Sequence, residues 1–295
     1  MKIAVVGMGA IGSLFAYSLS QDGHQLSCWT KGQHSTLSIA LDKDNIRSFP
    51  TNIPSQLEQC ELVIVCVKSW QLQQALKQVL PYIPLAVPIL ISHNGMGAIE
   101  QSNKLLINRP ILFATTTHAA LKPSSNQVLH TGWGQTTIGP YSEQARNLTW
   151  VVDLINHALP VAKWEKNIKQ ALWHKLAINC CINPLTALLN CRNGALDTPD
   201  TANTIKAICS EVSLVMQADG FQVHASQLDQ TVNSVIKATA NNYSSMHQDI
   251  AHHRKTEIDY ITGYLLQRAK IHTIDTPHNL KLYQEIKQLE VGNDN

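Results

Sequence analysis

Ile3-Ala4-Val5-Val6-Gly7-Met8-Gly9-Ala10-Ile11-Gly12 is the stretch on which the fold turns. Its apolar start, rich in β-branched side chains, reads as a short buried strand. The glycines that follow have the spacing G-x-G-x-x-G, and residues 11–21 continue as an apolar helical pattern. Each glycine has a mechanical reason: the first permits the tight turn, the second lets backbone approach a pyrophosphate, and the third allows close helix–strand packing. The pyrophosphate then rests on the helix N-terminus, where unpaired N–H groups and the helix dipole favour an anion. In isolation such spacing marks only a turn. Directly after an N-terminal strand it predicts a βαβ dinucleotide unit, with Gly7, Met8, Gly9, Ala10, Ile11 and Gly12 against the cofactor.

Outward from this motif, residues 25–29, 62–67, 89–93 and 111–115 read as further strands. Leu62-Val63-Ile64-Val65-Cys66-Val67 and Ile89-Leu90-Ile91 are apolar on both faces, as strands of a parallel sheet covered by helices should be. Helical patterns at 70–80 and 99–106 lie among them, so the alternation predicts a doubly wound α/β sheet. Residues 128–130 and 136–138 flank Gly132-Trp133-Gly134 and fit an antiparallel hairpin closing this domain. From about Asn167 onward the periodicity is helical. The expected architecture is a Rossmann-type domain over residues 1–166 followed by an all-helical domain over 167–295.

Composition limits what such a chain does. With 295 residues, 44% hydrophobic and 15% charged, it has the make-up of a two-domain globular protein. A formal net charge of +2 without a Lys/Arg run argues against nucleic-acid or membrane-surface partners. No apolar run reaches the length of a membrane span. The glycines interrupt a start that would otherwise read as a signal peptide. Seven cysteines without a CxxC pair read as reduced thiols, and a cytoplasmic location is expected. His247, His252 and His253 have no carboxylate or cysteine at metal-ligand spacing, so no metal is expected and they read as surface or cleft-edge residues.

The second strand indicates which dinucleotide is bound. It ends Cys28-Trp29-Thr30-Lys31-Gly32, without the Asp or Glu that holds the adenosine ribose hydroxyls in NAD enzymes. Lys31 is placed to meet a 2′-phosphate, which favours NADP(H), although an exposed loop lysine is also an ordinary feature. Two more strand ends carry polar residues where ligands of open α/β sheets lie: Lys68 after one, and Asn94 in His93-Asn94-Gly95-Met96-Gly97 after another. A plain turn explains the latter equally well.

Two helical patterns hold polar residues in apolar surroundings. In the segment 171–188, Lys175, Asn179 and Asn183 follow one another at i, i+4 along one side of an otherwise apolar helix. Buried without partners they would be costly, so they line either an inter-helix hydrogen-bond network or a substrate cleft. Met246, Ile250, Glu257 and Ile261 fall on one stripe at helical spacing, which places Glu257 inward, with Ser245 and Asp249 on the adjoining face. An inward carboxylate and an inward lysine are compatible with a buried salt bridge and with an acid/base pair.

Taken in order, these motifs resemble the ketopantoate reductase (2-dehydropantoate 2-reductase) family over nearly the whole chain. The resemblance rests on the Gly7–Gly12 loop and His93-Asn94-Gly95-Met96-Gly97. It continues in Trp173-His174-Lys175-Leu176 with Asn179 and Asn183-Pro184-Leu185-Thr186, then Ser244-Ser245-Met246-His247-Gln248-Asp249 and Thr256-Glu257-Ile258-Asp259. It implies NADPH-dependent reduction of 2-dehydropantoate to (R)-pantoate, a step of pantothenate and coenzyme A biosynthesis, in a cleft between the two domains, by a monomer or homodimer. By this resemblance Lys175 is the catalytic proton donor, and Glu257 assists it and lies by the nicotinamide ribose. Lys31, Lys68, Asn94 and Ala120 join the glycine loop on the cofactor, while Asn179, Asn183, Asn193 and Ser245 bind a small 2-keto acid. Lys31 stands where some relatives carry Arg, and Thr262 where Asn is frequent. Alternative readings are a reductase of another branched 2-keto acid and a non-catalytic NADP(H) sensor.

Overall fold

A computed structural model describes residues 1–292. They form two compact units, one built from residues 1–93 and 98–171, the other from 94–97 and the chain after 172.

The first unit contains, in order, β1 (Lys2–Val6), α1 (Ala10–Gln21), β2 (Gln25–Trp29), β3 (Thr36–Leu41), β4 (Arg47–Pro50), α2 (Pro54–Glu58), β5 (Leu62–Val65) and α3 (Leu72–Val79). There follow β6 (Ile89–Ile91), α4 (Ala98–Gln101), β7 (Ile111–Thr116), β8 (Ala119–Ser124), β9 (Gln127–Gly132), β10 (Thr136–Pro140), α5 (Trp150–Ala158) and β11 (Ala162–Trp164). The main sheet has seven strands in the order β11-β10-β7-β6-β5-β1-β2. β2, β1, β5, β6 and β7 run parallel, in registers such as Val5 opposite Cys28 and Val6 opposite Val65. Every residue of β5 and β6 is buried, as strands covered on both faces require. Strand order reverses between β1 and β5, so the carboxyl ends of these two strands mark the switch point where an open α/β sheet binds its ligand. This is the doubly wound, Rossmann-type architecture expected from the sequence.

Three features depart from expectation. A second sheet of order β4-β3-β9-β8 includes β3 and β4, which the Ser- and Thr-rich stretch around residues 35–51 does not announce. The hairpin expected across Gly132-Trp133-Gly134 does not form. β9 instead pairs antiparallel with β8 and parallel with β3, and β10 joins the main sheet antiparallel to β7. Val128 and Ile138 are both fully buried, so their apolar pattern was satisfied by either partner, and tertiary packing decides between them. Finally, the helix expected over 99–106 breaks into α4 and a 3-10 turn at Asn103–Leu105.

The second unit is helical among the described residues: α6 (Ile168–Leu188), which starts in the first unit, then α7 (Pro199–Ala218), α8 (Ala225–Ala238), α9 (Ser245–Ala251), α10 (Thr262–Ile271) and α11 (Pro277–Gly292). Trp173, Cys180, Ile208, Val215, Val232 and Leu265 are buried at its centre, each large apolar side chain contributing about 1.5–3 kcal/mol by leaving water. Helix starts are set by chemistry the sequence displays. Thr198 caps α7 by accepting the Thr201 amide, with Pro199 in the first turn. At α11 the Glu211 carboxylate accepts the His278 and Asn279 amides at 2.8 and 3.0 Å, filling donors the helix itself leaves unpaired. No described helix is long and apolar enough to cross a membrane.

Candidate active site

The glycine loop has the geometry its spacing implies. Gly7 adopts φ +89°, and a Cβ there would meet the Cys66 carbonyl at 2.5 Å. A Cβ on Gly12 would meet the Gly7 carbonyl at 2.0 Å, so these two glycines pack turn against helix. Gly9 differs: it caps α1, is exposed, and a Cβ on it would meet nothing within 4 Å. No side chain caps the backbone N–H groups at the start of α1, and the first turn carries no acidic residue to repel an anion. The residues present fit a pyrophosphate.

Two other expected cofactor residues of this unit, Lys31 and Lys68, follow the carboxyl ends of β2 and β5. Lys31 is exposed in the turn after β2, its ammonium 5.5 Å from the centre of the Trp70 ring. That turn is held by Asn52, whose side-chain oxygen accepts the Thr30 amide at 2.8 Å and whose amide donates to the Gly32 carbonyl at 2.6 Å. Lys68, half-buried, follows β5 and begins a 3-10 turn at Ser69–Gln71. Ala120 lies half-buried on β8, packed against the apolar core of the unit. Neither Asn52 nor Lys122, which reaches the glycine loop from β8, stood out in the sequence, because lone Asn and Lys residues outside any motif look like ordinary surface residues.

In the second unit, Asn94, Lys175 and Glu257 converge. Gly95 adopts φ +78°, and a Cβ on it would lie 2.2 Å from the Tyr260 carbonyl, while the Met96 amide donates to that carbonyl at 2.8 Å. This close approach brings Asn94 to Glu257, its Nδ2 donating to Oε2 at 3.2 Å. Glu257 is buried. Lys175 keeps some solvent-accessible surface, yet protein atoms crowd its ammonium. Burial pushes its pKa down to about 8, and the nearby Glu257 carboxylate opposes part of that fall. An ammonium poised this close to neutrality, beside a carboxylate, is equipped to give up a proton and take one back.

Glu257 does not sit on the helix that its spacing with Met246, Ile250 and Ile261 implies. α9 ends at Ala251, and Glu257 precedes a 3-10 turn at Ile258–Tyr260. The stripe reflects burial of Met246, Glu257 and Ile261, not one continuous helix. The segment is held from α11: the Glu290 carboxylate accepts both the amide and the hydroxyl of Thr256, at 2.8 and 2.7 Å. Thr256 Oγ1 in turn accepts the Ile258 amide at 3.1 Å.

Along α6, Asn179 is half-buried and Asn183 buried, on the side that Lys175 begins. Asn193 is buried, donating to Thr239 Oγ1 at 2.9 Å while its side-chain oxygen has no protein partner. Ser245 is exposed at the first position of α9. Its buried neighbour Ser244 is the structural serine: it caps α9 by accepting the His247 amide at 3.1 Å, and Thr186 Oγ1 donates to it at 2.7 Å. His247 departs from the expected surface or cleft-edge position. It is buried, bonded through Nε2 to Asn190 Oδ1 at 2.8 Å and stacked on Tyr243, and burial lowers its pKa.

A glycine-rich strand–helix turn and a half-buried lysine near a buried carboxylate are features of a nicotinamide-dependent oxidoreductase. The chain belongs to the ketopantoate reductase family PanE/ApbA. The family's N-terminal description matches residues 3–143, and its C-terminal description residues 167–290. The 2-dehydropantoate 2-reductase of Vibrio cholerae serotype O1 is 47% identical over 290 residues, covering 98% of both chains. That of Salmonella typhimurium is 41% identical, covering 98% of this chain and 95% of its own. A solved structure of D-mandelate dehydrogenase with NADH and anilino(oxo)acetate matches with a TM-score of 0.91 over 100% of both chains. At 23% identity that likeness concerns the fold alone.

Proposed function

We propose that this chain reduces 2-dehydropantoate to (R)-pantoate with NADPH, as the names of its relatives from Vibrio cholerae and Salmonella typhimurium indicate. The observation that carries the chemistry is Lys175, an ammonium whose pKa is lowered to about 8 by burial, beside the buried Glu257 carboxylate. Residues 1–166 supply most of the cofactor contacts, and residues 167–295 carry the catalytic and substrate side chains. Gly7, Met8, Gly9, Ala10, Ile11 and Gly12 hold the pyrophosphate, Lys31 the 2′-phosphate, and Lys68, Asn94, Ala120 and Glu257 the remainder of the dinucleotide. NADPH, when bound, supplies the hydride that reduces the C2 ketone.

Lys175 faces the ketone oxygen, steadies the negative charge that develops there and delivers its proton to that atom. Glu257 keeps Lys175 protonated at neutral pH, and Asn94 fixes the Glu257 carboxylate by donating to Oε2. Asn179 and Asn183 offer amide donors along the same side of α6. Asn193, buried and donating to Thr239, is assigned to the substrate by the family resemblance. Ser245, exposed at the start of α9, offers a hydroxyl to the carboxylate.

The test is to mix the purified protein with NADPH and 2-dehydropantoate and follow the loss of reduced-nicotinamide absorbance. NADH and one other branched 2-keto acid serve as comparisons. Rapid oxidation with NADPH and 2-dehydropantoate is expected. Turnover only with the other acid overturns the substrate assignment and keeps the chemistry. NADPH binding without turnover of either acid overturns the assignment as a reductase.

A further inference from the structure

The glycine loop has a charged partner from outside its own strand and helix. Lys122 lies on β8, 114 positions from Met8, and its ammonium donates to the Met8 carbonyl at 2.6 Å. It also donates to Ser13 Oγ at 3.3 Å, and Ser13 Oγ donates to the same Met8 carbonyl at 3.2 Å. All three residues belong to the first unit. Lys122 is half-buried, and desolvation holds its pKa below the ordinary lysine value, with Cys28 acting weakly the other way. Both oxygens it meets are neutral, so they solvate the ammonium without cancelling its charge.

A cation in this position acts on the loop in two ways. A loop carbonyl turned toward the ligand would repel a phosphate. Bonded to Lys122 and Ser13, the Met8 carbonyl is committed elsewhere, and the N–H groups at the start of α1 carry no side-chain cap. The ammonium also adds a full positive charge behind those N–H groups, where partial exclusion of water weakens screening. We infer that Lys122 is a positioning residue for the dinucleotide: it anchors the Met8 carbonyl, and its charge is the counter-charge that helps the loop retain a pyrophosphate. The inference rests on reading residues 7–12 as the NADPH site.

Two substitutions separate charge from hydrogen bonding: Lys122→Gln keeps a donor and loses the charge, and Lys122→Arg keeps both. Binding of NADPH is followed by its fluorescence at several salt concentrations. Binding of adenosine 2′-monophosphate, which has the 2′-phosphate but no pyrophosphate, is followed by calorimetry. Lys122→Gln is expected to bind NADPH roughly tenfold more weakly or worse, with a shallower salt dependence. It should bind adenosine 2′-monophosphate as the wild type does, and melt close to the wild type without ligand. Lys122→Arg should recover most of the NADPH affinity. NADPH affinity in Lys122→Gln equal to the wild type overturns the inference. So does a lowered melting point with equal weakening toward both ligands, since that marks a purely structural lysine. If the wild type itself fails to bind NADPH, the reading of the loop falls and the role of Lys122 falls with it.

Discussion

Lys175 and Glu257 form a pair in which the carboxylate acts on the ammonium in a definite direction. Burial lowers the Lys175 pKa to about 8, and the Glu257 charge raises it against that trend. In the proposed mechanism the protonated amine delivers the proton, so kcat for ketone reduction should fall above about pH 8, as a stopped-flow pH profile would record. Glu257→Gln removes the raising influence, so the alkaline limb should move to lower pH; a limb that stays in place would separate Glu257 from the proton step. Lys175→Ala should abolish turnover while leaving NADPH affinity nearly intact, measured by fluorescence titration beside the kinetic assay. A stability effect accompanies the same shift. The folded chain holds this proton less tightly than the unfolded one, so the cost of charging Lys175 within the fold disappears as pH rises from about 8 through the ordinary value of 10.5.

At the scale of elements, the glycine loop and the buried parallel strands were plain in the sequence because their residue types answer local demands. The turn needs φ +89° at Gly7, and strands covered on both faces need continuous apolar side chains. The polar line of Lys175, Asn179 and Asn183 was equally legible, because α6 is a long regular helix. What the sequence hid depends on partners distant along the chain. β10 prefers β7 to β9, Glu257 lies outside any α-helix, and Glu290 grips Thr256 across 34 positions. Ser244 was legible as part of a motif but not in its role. As the cap of α9 and the neighbour of Thr186, it should cost about 1 kcal/mol or somewhat more when replaced by Ala, read from a urea unfolding midpoint. An unchanged midpoint would mean that the cap contributes nothing to the fold.

Over the whole molecule, the thiols offer a direct check on the packing. All seven cysteines are free; Cys28, Cys60, Cys66, Cys180, Cys181 and Cys209 are buried, and only Cys191 is partly accessible. Burial raises the pKa of Cys28 and Cys66 to about 12, which keeps them in the unreactive thiol form. A thiol reagent should therefore modify about one cysteine rapidly in the native protein and all seven in denaturant, with the count read from released chromophore. Rapid modification of several thiols without denaturant would contradict the packing of both units. NADPH should protect the fold as well, by about 2.7 kcal/mol at a hundred times its dissociation constant, visible as a raised melting temperature.

The short loop Asn94–Gly97 belongs to the helical unit although its flanking residues belong to the other. Its Met96 amide satisfies the Tyr260 carbonyl, and only glycine at 95 fits against that same carbonyl. Neither unit can therefore be excised as one continuous stretch of chain. A gene fragment starting near residue 167 would encode every helix after that point, yet it would lack the piece that closes over Tyr260 and would lose Asn94 from beside Glu257. Shuffling halves between relatives should succeed only when the four-residue insert travels with the helices it serves, which makes this loop the smallest transplantable part of the enzyme.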